Sequence, residues 1–512
     1  MLRPIKKEKG ITESEKHLVR LANKTFIGLW SYPNVYTDEG ITKSKEGKEL
    51  CDLLVVFGNK VIIFSDKDIK FNSEIPLETA WKRWLKRSVE KSSSQLFGAE
   101  SWIKNFPERL YLDKKCKNKF PLKLDQDNLE IYLIAVTKNS TQPAEKYFST
   151  VAENHARKTS QPIKCNGASS GTFIQAYNLT KDECLKLPFV ITDFDTQRTF
   201  VHILDEITLD LLLSNLDTIY DFTHYLKVKQ KSIRSKYLHS VLAEEDLLAH
   251  YLMNLNKSLV GDIPRLENHP EEHSISLPEG MWNDYCKSDL NLIFKSHRKQ
   301  SKFWDYLISI CSDSILKANV SFTAHFPFEA HERALNFLAA ENRISRSVLT
   351  EAFMDKKNLV NSNMRSARLV FSPLHKETLY VFLFLPPINN LSKENYRLTR
   401  AALAKDYLIV AKYQHPKAKN VVVIATETKG ADERSEDIIA AIYDSPLSSE
   451  EKKHAKELMD NKKILERSKG STNKNIKHHS RPYLELTPKQ GRNITCGCGS
   501  GKKYKKCCIN RH

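Results

Sequence analysis

The chain has 512 residues, and its 80 Lys and Arg outnumber its 62 Asp and Glu to give a formal net charge of +18. The excess lies mainly at one end, because residues 451–512 contain 17 basic and 5 acidic residues and so contribute +12. With 40% hydrophobic residues, a chain of this length can form roughly two to four domains with complete cores, which excludes a disordered protein.

Several functional classes are disfavoured by what the sequence lacks. Glycine is scarce, at 16 residues, and we find neither the P-loop pattern nor a strand-linked G-x-G-x-x-G, so a nucleotide-cradling enzyme is not expected. No apolar segment has the form of a secretory signal, and no apolar run approaches the roughly 18 residues of a membrane span. We therefore expect a cytoplasmic protein that does not enter the membrane.

The first predicted element is an amphipathic helix over residues 12–29. Thr12 with Glu15 three residues later is the capping-box pattern of a helix N-terminus. Glu15 also falls on the apolar stripe of this helix, which consists of Leu18, Ala22, Phe26 and Leu29. Two interpretations stay open: Glu15 caps the helix, or it is an inward-facing carboxylate of a functional site.

Residues 50–57 and 60–67 predict an antiparallel hairpin joined by a two-residue Gly-Asn turn. That turn pairs the residues on either side of it and, counting outward, sets Asp52 opposite Ser65. Because side chains alternate along a strand, Asp52, Ser65 and Lys67 are expected on one face, beside apolar residues. A carboxylate, a hydroxyl and an ammonium group would thus meet at one end of the hairpin.

This combination suits metal-assisted hydrolysis of a phosphodiester. Carboxylates hold a divalent cation against the scissile phosphate, and a lysine positions the attacking water and stabilises the developing charge. In that chemistry Asp52 would bind Mg²⁺ or Mn²⁺, Glu15 would hold the ion through water, and Lys67 would act on the nucleophile. Asp66 is expected to point to the other side of the strand unless a bulge rotates it.

The same residues resemble the PD-(D/E)XK restriction-endonuclease-like superfamily. Its members have a Glu on the first helix, an Asp on a β-hairpin and then a (D/E)-x-K tripeptide, which here is Ser65-Asp66-Lys67. The resemblance implies a nuclease-like α/β domain over residues 1–235 that acts on DNA or RNA. Ser65 departs from the pattern, because it replaces a metal-binding carboxylate. An inactive domain that only binds nucleic acid is therefore the alternative.

The elements that follow fit the order of that fold. Residues 77–106 predict a long helix, and strands are predicted at 129–136, 189–192 and 200–204. Some polar members of the long helix either face the site or form a solvated face; these are Lys91, Ser92 and Gln95. The basic residues of this helix either contact phosphates or are simply solvated, and both interpretations stay open; these residues are Lys82, Arg83, Lys86 and Arg87.

Residues 236–466 alternate predicted helices and strands and are expected to form a second α/β domain of unknown role. His325, His331 and Glu332 look like the start of a metal-binding set, but no second group completes it, so we interpret them as surface or core residues. Residues 467–491 are polar and basic and lack an apolar period, which is typical of a flexible linker.

Four of the ten cysteines lie close together at the C-terminal end of the sequence: Cys496, Cys498, Cys507 and Cys508. Thiols at this spacing suit tetrahedral Zn²⁺ coordination, and the glycines among them allow the backbone to turn around the ion. Lysines between the cysteines would offset the negative charge of a zinc ion held by four thiolates. A vicinal disulfide or free reactive thiols form the alternative.

The spacing C-x-C, eight residues, then C-C resembles the SEC-C zinc motif, which would occupy residues 492–512 as a small zinc knuckle. The resemblance implies a structural zinc and a surface that docks to a ribosome, a chaperone or another protein. The whole sequence therefore predicts an α/β multidomain protein with two functional hypotheses. One is a metal-dependent nuclease with a zinc tail, and the other is a non-enzymatic adaptor that binds nucleic acid or a partner protein.

Overall fold

The computed structural model of the chain describes residues 2–124, 126–159, 172–255, 260–264, 274–320, 327–388, 391–429 and 435–466. The linker predicted at 467–491 and the zinc motif predicted at 492–512 lie outside the described residues. Within the described ranges the protein is a mixed α/β structure with three β-sheets.

In these ranges the strands are β1 (Ser31–Thr37), β2 (Lys48–Phe57), β3 (Lys60–Lys67), β4 (Leu110–Tyr111), β5 (Glu130–Thr137), β6 (Ile174–Ala176), β7 (Val190–Ile191), β8 (Val201–Asp205), β9 (Leu238–Val241), β10 (Ile275–Leu277), β11 (Ser366–Phe371), β12 (Thr378–Leu385), β13 (Asn420–Glu427) and β14 (Glu436–Ile442). The helices are α1 (Glu13–Thr25), α2 (Ile27–Trp30), α3 (Ile41–Ser44), α4 (Leu77–Leu85), α5 (Lys91–Asn105), α6 (Thr141–Thr159), α7 (Lys181–Cys184), α8 (Glu206–Asn215), α9 (Ile219–Arg234), α10 (Glu244–Met253), α11 (Met281–Lys287), α12 (Asp289–Gln300), α13 (Lys302–Leu316), α14 (Phe328–Ala339), α15 (Arg343–Leu359), α16 (Lys393–Gln414) and α17 (Ser449–Lys462). A π-helical turn over Lys86–Glu90 joins α4 to α5.

The first sheet contains six strands in the order β4-β1-β2-β3-β5-β8. β1, β2 and β3 form an antiparallel meander, whereas β5 and β8 are added in parallel. Parallel neighbours need a crossover connection. The helices α4 and α5 provide it between β3 and β5, and α6 lies between β5 and β8.

Different helices cover the two faces of this sheet. Ile62 and Phe64 of β3 belong to the core cluster that contains Leu18 of α1. Val61 and Ile63 belong to the other cluster, which includes the buried residues of α4 and α5. The period-two alternation of β3 therefore sends successive side chains to opposite helical layers.

The predicted hairpin is confirmed. β2 and β3 are joined by a two-residue turn that begins at Gly58; Phe57 pairs with Lys60, and the last pair of the ladder is Leu53–Phe64. Gly58 has a φ of +57°, a left-handed conformation that glycine adopts without strain. Over these pairs the register is the one that the turn predicts, whereas the predicted pair Asp52–Ser65 lies beyond the end of the ladder and is not part of it.

Two N-terminal elements differ from the prediction. The first helix is shorter than 12–29, because Ile27 has a positive φ of 65° and turns the chain into the separate helix α2. The sequence pattern also does not predict β1. This strand contains Pro33, and proline within a sheet is typical of its edges. β4 pairs only with Tyr36 and Thr37, so the part of β1 that contains Pro33 has a neighbouring strand on one side only.

Packing is continuous across the domain boundary predicted near residue 235. One hydrophobic cluster runs from Leu18 on α1 to Ile424 on β13. Ion pairs also connect these elements. Arg343 of α15 binds Asp217 at 3.0 Å and Asp305 of α13 at 2.6 Å. The division into two α/β domains stays a prediction.

The remaining sheets are smaller. The second has the strand order β10-β9-β6-β7, and the third has the order β11-β12-β13-β14. In the third sheet β12 and β13 are parallel and joined through α16, while the outer pairs are antiparallel. A separate apolar cluster fills the space between this sheet and the helices α16 and α17.

Candidate functional site

Asp52 lies where β2 leaves β3. The ladder between the two strands ends at the pair Leu53–Phe64, while β3 continues to pair with β5 as far as Lys67. In place of a further rung, the Asp52 Oδ2 atom accepts a hydrogen bond of 2.6 Å from the backbone N–H of Asp66. The two strands therefore separate at a carboxylate.

A β-bulge explains the change in direction of β2. Val35 of β1 pairs with Cys51, but the next residue, Tyr36, pairs with Glu49, so that Leu50 is an extra residue in β2. A bulge of this kind bends its strand and increases the local twist, and bulges are common beside active sites. Here the bulge directs the start of β2 away from β3.

Ser65 joins this site to the long helical segment. Its side chain is fully buried, and its Oγ lies 3.3 Å from Ser92 Oγ and 3.4 Å from Gln95 Oε1, both on α5. Of the three polar residues predicted to face either the site or solvent, Ser92 and Gln95 therefore face Ser65, whereas Lys91 is exposed.

Charge is distributed unevenly among the site residues. Burial raises the pKa of Asp52 from its usual 3.8 to about 6, and the nearby Lys67 ammonium opposes the shift. Lys67 also lowers the pKa of Glu49, which burial raises. Among the described residues Lys67 has no ion pair or hydrogen bond through its ammonium group, so this charge is available to a ligand.

Asp66 belongs to the opposite face of β3, as alternation predicts. Ser14 Oγ of α1 donates a hydrogen bond to Asp66 Oδ2, and Lys138 Nζ lies 3.8 Å from the same oxygen. The other oxygen, Oδ1, is buried and has no hydrogen-bond partner among the described residues. Asp66 thus contributes its backbone amide to the Asp52 site and its side chain to the α1 side.

Glu15 forms the capping box. Its Oε2 atom accepts hydrogen bonds from the backbone N–H groups of Ile11 at 2.6 Å and Thr12 at 3.4 Å, and Thr12 Oγ1 accepts from the Glu15 N–H at 3.1 Å. The Asn34 side-chain amide lies 3.4 Å from Glu15 and 3.1 Å from Glu49. Glu15 is therefore connected to the site through Asn34, and its main contacts are those of a cap.

Glu49 and Asn34 are site residues that sequence reasoning does not identify. Glu49 precedes Asp52 by three positions, so strict alternation assigns the two to opposite faces of β2. The bulge at Leu50 breaks that alternation, and the charge of Glu49 raises the pKa of Asp52. A register shift of this kind depends on the neighbouring strand β1, and the sequence of β2 alone carries no signal for it.

The donor set restricts how a metal ion can bind. In the parts of the chain that the structure describes, no three His, Cys, Asp or Glu side chains are grouped closely enough to hold a metal ion. Mg²⁺ is commonly held by one or two carboxylates, with water and substrate phosphate completing the shell. Asp52 and Glu49 are two such carboxylates, close enough for the charge of Glu49 to raise the pKa of Asp52.

One family match bears on function. The SEC-C motif family matches the chain over residues 492–510. This motif typically binds zinc, so the match supports zinc binding by a cysteine set that lies outside the described residues: Cys496, Cys498, Cys507 and Cys508. No solved structure matches the chain. The match covers the C-terminal end alone and leaves the activity of the α/β part to be inferred from its own residues.

Two further expectations concern the rest of the chain. Glu332 accepts hydrogen bonds from Trp30 Nε1 at 2.7 Å and Asn336 Nδ2 at 3.1 Å, which is a structural role, and His325 lies outside the described residues. Over the described ranges, none of the helices combines the length and the apolar character required to cross a bilayer.

Proposed function

We propose that this protein is a metal-dependent nuclease of the PD-(D/E)XK type that hydrolyses phosphodiesters in DNA or RNA. The observation that carries the proposal is the separation of β2 and β3 at Asp52, with Ser65 and Lys67 beside it at the end of β3. The order of elements gives further support: a helix, an antiparallel meander of three strands, a helical crossover and a parallel strand. The resemblance implies the helix, the β2–β3 hairpin, the long helix and the strand after it in this order, whereas β1 is an addition that it does not predict.

Each residue has a distinct part in this chemistry. Hydrolysis adds water to phosphorus, breaks the P–O ester bond and leaves a proton for the departing oxygen. Lys67 presents an unpaired ammonium that can bind a phosphate oxygen and stabilise the added negative charge. Asp52, with Glu49, would hold Mg²⁺ or Mn²⁺, which polarises the phosphate when bound. The hydroxyl of Ser65 is held by α5 at the position of the missing acid.

The proposal is tested with the full chain, Mg²⁺ or Mn²⁺, and labelled single-stranded and duplex DNA and RNA. We expect cleavage that Asp52→Asn and Lys67→Ala each reduce by a factor on the order of 10² or more. Lys70→Ala is the matched control, because Lys70 is an exposed lysine three positions beyond Lys67. Cleavage that persists in Asp52→Asn, or that falls equally in Lys70→Ala, rejects the assignment.

The side chain of Ser65 favours a second candidate, an adaptor that binds nucleic acid without cutting it. Ser65 carries no charge, and the described residues offer no third carboxylate in its place. In that case the zinc tail would supply the activity by docking to a ribosome, a chaperone or another protein. Removal of residues 467–512 separates the two candidates. Cleavage that survives the truncation supports the nuclease, whereas loss of a bound partner from a chain that never cuts supports the adaptor.

A further inference from the structure

A basic surface lies on the helical segment that runs from α4 through the π turn into α5. Its exposed cations are Lys82, Arg83, Lys86, Arg87 and Lys91. The opposite side of the segment is buried in the core through Trp81, Trp84 and Leu96. The cations therefore face solvent on a helix whose orientation is fixed by packing.

These cations are left without neutralising partners. Between residues 82 and 91 the single carboxylate is Glu90, and its Oε1 atom is bound by Lys181 Nζ at 2.8 Å. In the described residues none of the five cations forms an ion pair. By contrast, Lys114 and Lys115, also exposed, both bind Glu46. The lack of ion pairs is therefore specific to this segment and is not shared by every lysine-rich region of the chain.

Three of the cations form a row that leads to the candidate site. Arg83, Arg87, Lys91 and Gln95 follow one another at four-residue steps, and residues four apart are neighbours on a helix surface. Gln95, the last of them, lies 3.4 Å from Ser65 Oγ. The π turn lies in the middle of this row, and single π turns inside α-helices are frequent at functional sites.

We propose that Arg83, Arg87 and Lys91 form a phosphate-binding row that guides a nucleic-acid strand to Asp52 and Lys67. The inference rests on the proposed function, because it assigns a substrate contact to the same site. The row with Gln95 spans roughly 18 Å at 1.5 Å per residue. One strand of B-form DNA carries about five phosphates over that distance, so each of the three cations, roughly 6 Å apart, can meet about every second phosphate of the strand.

Nucleic acid is favoured over other anionic partners by position. The row ends at Gln95, which contacts Ser65 beside the unpaired Lys67, so a bound anionic chain would continue from the row to a further cation at the site. A flat lipid surface cannot follow a row into the region where β2 and β3 separate. Lys67 is partly buried there, and Ser65 is fully buried.

The test measures binding without metal, so that it does not depend on cleavage. Fluorescence anisotropy with a labelled DNA duplex, and with an RNA of the same length, is recorded in EDTA over a series of salt concentrations. The row variant is Arg83→Gln, Arg87→Gln and Lys91→Gln in the full chain. The matched control is Lys452→Gln, Lys453→Gln and Lys456→Gln on α17, which removes the same charge from an exposed helix that also carries Glu450, Glu451 and Glu457.

We expect the row variant to weaken binding on the order of tenfold or more and to reduce the slope of log K against log salt by about 2.7 for duplex DNA. The control should leave both nearly unchanged, and equal melting temperatures would show that both variants are folded. Equal losses in row and control variants overturn the inference. So does a loss of binding to phosphatidylserine vesicles with unchanged binding of DNA and RNA.

Catalysis and the row are distinguished by comparing the two assays. If the row variant loses binding but the unmodified protein never cleaves nucleic acid, the phosphate-binding row is supported and the proposed nuclease is rejected. If the unmodified protein cleaves nucleic acid and the row variant binds it as tightly as the unmodified protein does, the phosphate-binding row is rejected and the proposed nuclease is retained.

Discussion

The Asp52 carboxylate and the Asp66 backbone amide are joined by a 2.6 Å hydrogen bond at the point where β2 and β3 separate. The bond holds the carboxylate against β3, where Asp52 is only 8% exposed. Burial raises its pKa to about 6, and the charges of Glu49 and Asp66 act in the same direction. The Lys67 charge and the hydrogen bond from the Asp66 amide oppose this rise in pKa. Such a carboxylate gains from a bound cation, which favours its ionised form.

Asp52→Asn should stabilise the protein above pH 6. The pKa of Asp52 is raised on folding, so the stability that it contributes is present at low pH and is lost as the pH rises through about 6. Asparagine keeps an acceptor for the Asp66 amide and removes the buried charge. From the shift of 3.8 to about 6, the gain in unfolding free energy approaches at most about 3 kcal/mol at pH 7.5.

Urea unfolding of the Asp52→Asn variant and of the unmodified protein at pH 4.0, 5.5 and 7.5 checks this prediction. We expect the difference between the two free energies to grow with pH and to level off above about pH 7. A difference that is constant over this range would show that Asp52 is not a desolvated carboxylate in the folded protein.

Ser65→Asp should restore the superfamily pattern at a cost in stability. Ser65 is fully buried, and among the described residues its hydroxyl contacts Ser92 and Gln95, neither of which is charged, so a carboxylate there replaces no existing ion pair. An uncompensated buried charge costs about 3 to 5 kcal/mol. We expect that loss at pH 8 in the absence of metal, and a partial recovery with Mn²⁺, because a bound ion would neutralise the new carboxylate.

Thermal unfolding with EDTA and with Mn²⁺ measures both effects. Ser65→Ala is the control, since it removes only two long hydrogen bonds, of 3.3 Å and 3.4 Å, and should cost less than about 1 kcal/mol with no response to Mn²⁺. Equal responses of the two variants to Mn²⁺ would contradict a metal site beside Ser65.

The hairpin could be predicted from sequence because its determinants are local. A two-residue turn at Gly58 fixes the register, and alternation along β3 separates Ser65 from Asp66 onto opposite faces. The helix cap at Thr12 and Glu15 is also local, and the structure confirms it. Each of these features requires only residues within a few positions of one another.

The remaining part of the site depends on residues distant in sequence. Glu49 lies at the site because β2 has an extra residue opposite β1. Asn34, which lies on β1, connects Glu49 to Glu15 through its side-chain amide. The contact of Ser65 with Gln95 requires the crossover helix to pack on one particular face of the sheet. Periodicity alone leaves both solvent and site open for that face, since both accept polar side chains.

Lys229→Met should destabilise the core near α9. Lys229 and Glu244 form a buried ion pair, and Glu244 also accepts hydrogen bonds from Tyr225 at 2.6 Å and from Gln175. Removing the ammonium leaves a buried carboxylate uncompensated, which costs about 3 to 5 kcal/mol. His202→Phe is the comparison, because both ring nitrogens of His202 are buried and have no hydrogen-bond partner in the part of the chain that the structure describes.

Chemical unfolding at pH 7.5 measures both variants. We expect His202→Phe to be neutral within about 1 kcal/mol. Burial and the Lys229 charge lower the pKa of His202, so the imidazole that Phe replaces is uncharged. A large loss in His202→Phe, or none in Lys229→Met, would contradict this account of the buried charges.

Removal of zinc should affect the C-terminal motif and leave the α/β part folded. The family match supports zinc at the motif cysteines, and the described residues form three apolar clusters of their own. Metal analysis should find about one zinc per chain, and Cys498→Ser with Cys507→Ser should abolish it. Cys286→Ser is the control, because Cys286 is an exposed cysteine outside the motif.

Because the ligands bind zinc as thiolates, zinc occupancy should fall as the pH is lowered and protons compete for the sulfur atoms. We expect the melting temperature of the α/β part not to follow that loss, because the described residues pack against one another in three apolar clusters. A melting temperature that falls together with zinc content would instead show that the motif packs against the α/β part and contributes to its stability.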